Sequence, residues 1–134
     1  MSERDNSQIV QGMFASFGQG NLQGVLDVLA DDVDWMMQGP AQIPYTGPRR
    51  GRDQVLQFCM TIGQSVEFEQ FEAREFIAQG DTVVVLGHVK ARARKTGRPF
   101  DHDWAMVFTL RDGKVVRYRN YEDTYALAEA FREA

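Results

Sequence analysis

The sequence predicts an α+β fold in which a curved antiparallel sheet wraps around helices from the N-terminal half. Three observations carry this expectation. Apolar residues recur at helical spacing as far as residue 62, the period changes to two from residue 66, and three turn sequences at hairpin spacing divide that second part. Helices followed by a run of hairpin-linked strands must pack on one face of the sheet to bury their apolar stripes. A length of 134 residues suits one compact domain whose core needs no disulfide or metal to hold it.

Ile9, Val10, Met13, Phe14 and Phe17 form the stripe of the first helix, which Gly20 ends. Asn21 is a suitable N-cap for a second, short helix with Leu22, Val25, Leu26 and Leu29 on its apolar face, closed by "ADD" before Val33. The segment "DWMMQGP" (34–40) turns into the first strand, and "GPAQIPYTGPRRG" (39–51) reads as a loop long enough to be a functional rim or lid. Val55, Leu56, Cys59 and Ile62 mark a third helix with Gly63 placed to stop it. Strands are expected over 66–77, 82–94, 100–110 and 115–122, separated by "AQGD", "KTGRP" and "RDGK", so they should run as an antiparallel meander. "DTYALAEAFREA" (123–134) closes the chain as a helix capped by Asp123 or Thr124, with Leu127 and Phe131 on one face.

Composition excludes several classes of function. A net charge of −4 opposes binding to a phosphate backbone, and the basic run "KARARK" (90–95) alternates as a solvated strand face does, so no nucleic-acid partner is expected. No apolar run reaches the ~18 residues of a membrane span, and the polar start "MSERDNSQ" has no apolar leader region. The expectation is a cytoplasmic protein without a membrane partner. Cys59 is the one cysteine and lies in an apolar helical pattern, which suits a buried thiol rather than a nucleophile.

The segments "IVQGMFASFGQGNLQGVLDVLADDVDW", "GRDQVLQF" and "VFTLRDGKVVRYRNYED", in that order, resemble the nuclear transport factor 2-like superfamily in its SnoaL-like and ketosteroid-isomerase-like branch. The resemblance implies a cystatin-like cone, with a ligand pocket at its wide end and a homodimer formed through the outer side of the sheet. It also implies where catalytic groups stand in relatives. The general-base position of ketosteroid isomerases falls at Met37, the tyrosine position at Met13 and the second acid near Met106, and methionine can fill none of those roles. The water-activating set of limonene-type epoxide hydrolases falls on Leu86, His88, Asn120, Trp35 and Met37, so that mechanism is lost as well.

Strand phase decides which polar residues remain. Arg117, Arg119 and Tyr121 look solvated, which turns Val116, Tyr118, Asn120 and Glu122 inward, and the bulky set Trp104, Met106, Phe108 and Leu110 carries His102 inward. In strand 82–94 the pattern alone buries Val83, Val85, Val89 and Ala91, whereas the resemblance turns Val84, Leu86 and His88 inward, and the resemblance is followed. The expected site then has His88 as acid/base, because an imidazole of ordinary pKa near 6.5 needs little tuning at neutral pH. Glu122 would hold or share its proton, and Asn120 and Tyr118 would donate to a developing oxyanion. Met13, Trp35, Met37, Trp104 and Met106 would wall the pocket, with His102 nearby and Tyr45 at its rim. "DHD" (101–103) does not make a metal site, because strand neighbours point to opposite faces, and neither a metal nor another cofactor is expected.

The expected function is binding of a small hydrophobic or aromatic metabolite, with isomerase or polyketide-cyclase-type proton transfer on a carbonyl compound. The alternative is a non-catalytic ligand-binding or scaffold module. The dimer is expected also from Val83, Val85 and Val89, which one sheet face cannot all bury if Val84, Leu86 and His88 point inward.

Overall fold

The computed structural model describes residues 2–133. Helix α1 (Glu3–Gly18) starts on a capping box in which Ser2 and Asp5 exchange side-chain-to-backbone bonds. Asn21 caps α2 (Leu22–Leu26) by accepting from the Gly24 amide. Strand β1 (Leu29–Met37) leads through a loop to β2 (Gly47–Arg50) and α3 (Arg52–Ser65), after which β3 (Val66–Gln79), β4 (Thr82–Ala93), β5 (Pro99–Arg111) and β6 (Lys114–Glu122) follow. Helix α4 (Thr124–Phe131) closes the chain, capped by Asp123 through the Ala126 amide. The expected extent of that helix to Ala134 lies partly outside the described residues.

The six strands form one sheet in the order β2-β1-β6-β5-β4-β3. The meander from β3 to β6 is antiparallel as its turns require, but β1 joins β6 in parallel. Three details differ from the sequence expectation. "ADD" does not close a helix: α2 ends at Leu26, and residues 30–32 lie on β1 where its pairing with β6 shifts register. Arg52 fixes that stretch, donating to the Leu29 carbonyl at 2.7 and 3.0 Å and pairing with Asp31 at 3.0 Å. Residues 47–50 are a strand rather than loop, paired with Asp34 to Met37. Helix α3 passes through Gly63 to Ser65.

Two irregularities in β3, between Phe68 and Gln70 and between Ala73 and Glu75, curve the sheet and reset its side-chain phase. Phe68, Phe71 and Phe76 are therefore all opposite concave-face residues of β4 despite their uneven spacing. Phe14 of α1 packs among Phe71, Phe76, Trp104 and Phe108. At the β5–β6 pairing another shift, between Thr109 and Leu110, makes Val115 the buried residue where Val116 was expected.

The phase of β4 follows the hydrophobic pattern and overturns the choice made from the resemblance. Val83, Val85, Val89 and Ala91 are buried against the helices, so Val84, Leu86 and His88 occupy the outer face. Gly87 shows why the phase is fixed. A Cβ there would lie 2.2 Å from Trp104 Cζ2, because the indole of Trp104 lies against the strand at that position. Burial of Val83, Val85 and Val89 within one chain also removes them as an argument for a dimer.

Candidate functional site

The concave face and the helices enclose a cavity of about 100 Å³. About 10–15 Å³ of such volume already holds a water, so this space takes a ring-sized part of a ligand. Its wall is almost entirely apolar. Met13 comes from α1, Trp35 and Met37 from β1, and Trp104 and Met106 from β5, as the sequence reading expected. Trp35 lies flat on Tyr118 with ring centroids 3.9 Å apart, and Trp104 stacks on Phe71 at 5.1 Å. The three methionines do not fill the space.

Polar groups concentrate where β6 ends. Tyr118, Asn120 and Glu122 line the cavity, in the phase expected for that part of the strand. Glu122 Oε1 accepts from His102 Nε2 at 2.6 Å, and their side chains are 9% and 8% exposed. The Asn120 amide donates to Glu122 Oε2 and to Met37 Sδ, the latter at 2.9 Å. His102 is therefore the partner of Glu122 from behind rather than a wall residue. Its Nδ1 is buried without a partner among the described residues, which fixes the proton of a neutral ring on Nε2. Asn120 has its amide hydrogens committed, so it holds the carboxylate and does not offer an N–H to an oxyanion.

His88, expected as the acid/base, is not in this site. It sits on the outer face of the sheet between two carboxylates, Nδ1 2.7 Å from Asp103 and Nε2 2.5 Å from Asp101. The hydrogen bond with Asp103 raises its pKa above 6.5 and lowers that of Asp103 below 3.8. The same three residues do not converge on one point: the carboxylates occupy opposite edges of one imidazole. No cluster of three or more metal-ligating side chains occurs among the described residues.

Tyr45, expected at the rim, is an interior residue at 4% exposed. Its ring stands edge-on to Phe58 of α3 and Phe131 of α4, with centroids 6.3 and 5.9 Å away. Arg49 donates to the Tyr45 carbonyl at 2.9 Å while its guanidinium lies 4.9 Å over the Phe58 ring. Burial first, and then the Glu122 charge, push the phenols of Tyr45 and Tyr118 above their ordinary value of 10.0, so both remain protonated. Cys59 also borders the cavity, and burial raises its thiol to about 11. That keeps it un-ionised and a poor nucleophile.

No helix among the described residues is long and apolar enough to cross a membrane. The family model of the SnoaL-like domain matches residues 10–118. The crystal structure of an NTF2-like protein from Burkholderia xenovorans LB400 is 38% identical, with a TM-score of 0.91 over 98% of this chain and 99% of that one. TerC, co-crystallized with polyporic acid, is 26% identical with a TM-score of 0.85, covering 96% of this chain and 99% of that one. The uncharacterized protein YesE of Bacillus subtilis (strain 168) is 24% identical over 104 residues, 72% of this chain and 71% of its own. With its family model spanning most of the chain and its backbone superposing on those two solved structures, the chain belongs to the SnoaL-like domain family and has the NTF2-like fold.

Proposed function

We propose that the cavity binds a small, flat, hydrophobic carbonyl compound and that Glu122 moves a proton on it, in an isomerase or cyclase type of reaction. The observation that carries this reading is a buried carboxylate, backed by His102 and Asn120, facing an otherwise apolar cavity. A carboxylate that is held by donors and shielded from bulk water is suited to proton abstraction beside a carbonyl. The aromatic walls formed by Trp35 on Tyr118 and Trp104 on Phe71 suit a flat ligand. Co-crystallization of the relative TerC with polyporic acid supports a small-molecule ligand in this cavity. Glu122 takes the acid/base role first assigned to His88, and Tyr118 keeps the role of oxyanion donor.

The test is a thermal-shift screen against flat carbonyl compounds, with each mixture analysed for product by mass spectrometry. A ligand at 100 times its Kd adds about 2.7 kcal/mol, a shift of several degrees in a domain of this size. Product that Glu122→Gln abolishes supports the reading. Binding without product from any ligand favours the second reading, a non-catalytic binding module, whose support is methionine at the three positions where the resemblance places catalytic groups.

The outer sheet face is proposed as a homodimer surface. Val84, Leu86, Ala105 and Val107 form an apolar strip there, with Arg117 and Arg119 on one side and Asp101 and Asp103 towards one end. A two-fold pairing can set the basic part against the acidic part of the other copy. Sedimentation at micromolar concentration giving only a 15.3 kDa species overturns it. A cytoplasmic location is proposed from the reduced, buried Cys59 and is tested by fractionation.

A further inference from the structure

We infer that the indole N–H groups of Trp35 and Trp104 are the ligand-recognition donors of the cavity. The ligand class they select is a flat diketone of the quinone type, with carbonyl oxygens on opposite edges of its ring system. The assignment deepens the reading of the cavity given above and rests on its ligand half, not on proton transfer by Glu122. Among the described residues, the side-chain atoms buried without a hydrogen-bond partner are Asn6 Oδ1, Trp35 Nε1, His102 Nδ1, Trp104 Nε1 and Asn120 Oδ1. Three of these residues line the cavity: Asn120 leaves an acceptor unused, and the two tryptophans, each 4% exposed, leave a donor unused. A buried indole N–H ordinarily finds an acceptor. One without a partner costs free energy that a bound oxygen recovers.

The neighbouring rings do not supply that acceptor. An indole N–H lies in the plane of its ring, whereas Tyr118 is stacked on Trp35 at 17°, and Phe14 and Phe71 are stacked on Trp104 at 6° and 17°. Those rings cover the indole faces. Phe58 meets Trp35 at 67° with centroids 5.6 Å apart, and an aromatic face is a weak acceptor at best. Trp104 is also set in place before a ligand arrives, because its indole fills the space that a Cβ on Gly87 would take. The donors stand apart, so one oxygen does not serve both. Trp104 on β5 is opposite Glu122 and Trp35 on β1 is opposite Tyr118, on either side of β6. Their strands are about 10 Å apart, two strand spacings, and each indole belongs to a different aromatic stack. The carbonyl of the reading above accounts for one oxygen, and the second donor asks for another. A flat ring system with an oxygen towards each indole satisfies both and leaves its faces to the apolar wall.

The test is NMR of the whole chain with nitrogen-labelled tryptophan, which gives two indole N–H signals because the chain has two tryptophans. Either Trp35→Phe or Trp104→Phe assigns both signals, so one folded variant is enough. The probes are 2,3-dimethyl-1,4-naphthoquinone, whose methyl groups block addition by thiols, and 2,3-dimethylnaphthalene, the same skeleton without oxygen. The expected result is that the quinone moves both indole protons downfield and the hydrocarbon moves neither downfield. Each tryptophan variant should also weaken quinone binding about fivefold more than hydrocarbon binding, the scale of one neutral hydrogen bond. Binding of both probes with the same indole shifts overturns the donor assignment and leaves the apolar pocket as it stands. A downfield shift of one indole alone overturns the two-oxygen class. Binding of neither probe overturns the pocket reading and this assignment with it. Proton transfer is read separately, from the product assay with Glu122→Gln, so its failure leaves the two donors untouched.

Discussion

Glu122 and His102 form a buried pair, joined at 2.6 Å between Oε1 and Nε2, on adjacent strands that bring residues twenty apart in sequence into contact. Trp104, two residues beyond His102 on β5, lies directly opposite Glu122 in the β5–β6 ladder. The carboxylate thus depends on one imidazole and one amide for its solvation. Removing either donor leaves charge in an apolar cavity.

His102→Ala should therefore destabilise the protein by about 3 kcal/mol, the scale of breaking a buried pair by removing one partner. Urea unfolding checks it, with a lower midpoint at unchanged m. His102→Gln, which keeps a donor, should lose less. A loss below about 1 kcal/mol in the alanine variant would place the pair with surface ion pairs instead.

Gly87→Ala should destabilise strongly, by about 3 kcal/mol or more. The added Cβ meets the Glu72 carbonyl oxygen at 2.2 Å, as well as Trp104 Cζ2 at 2.2 Å. Trimming the indole with Trp104→Ala removes only one of these clashes, so the double variant should stay destabilised. Full rescue in chemical denaturation would show that the backbone contact is readily relieved.

Both tryptophans of the chain, Trp35 and Trp104, border the cavity. A naphthyl ketone added to the protein should change intrinsic tryptophan emission in a saturable way, and Trp35→Phe and Trp104→Phe should each retain part of the change. Emission that stays constant while thermal stabilisation is seen would locate the ligand elsewhere.

His88 makes stability depend on pH from outside the cavity. Its pKa is raised by Asp103 and then by Asp101, against desolvation and the nearby Arg74. Glu72, held by Arg74 at 3.0 Å, and Lys90 also face this outer cluster. A folded pKa above the unfolded value gives stability that is complete below about 6.5 and is lost as pH rises through the folded value. Asp103, lowered by the same contact, contributes above 3.8 and loses that as pH falls through its folded value. Unfolding free energy measured through the neutral range should therefore fall on the alkaline side of 6.5, and His88→Gln should flatten that decline. An unchanged slope in the variant would exclude His88 as its source.

The sequence by itself determined the order of the helices and of every strand but β2, the cap at Asn21, a cap at Asp123 or Thr124, and the inward phase of Trp104, Met106, Tyr118, Asn120 and Glu122. Each is a local matter of period or turn chemistry, and each is legible because one face of the element is apolar. Only the tertiary structure decided the rest. The parallel pairing of β1 with β6 joins segments more than eighty residues apart, which no local pattern records. The bulges at Glu69 and Arg74 put Phe68, Phe71 and Phe76 on one face at spacings of three and five, where strict alternation would separate them. The outward position of His88 follows from the alternation of Val83, Val85 and Val89, whose burial on the concave face decides the whole strand and overrides what family position implies. The interior position of Tyr45 is not legible in the sequence, because a Pro/Gly-rich loop has no period from which to infer where it folds. Its position comes from long-range packing on Phe58 and Phe131, and those contacts exist only once α3 and α4 have closed over the sheet.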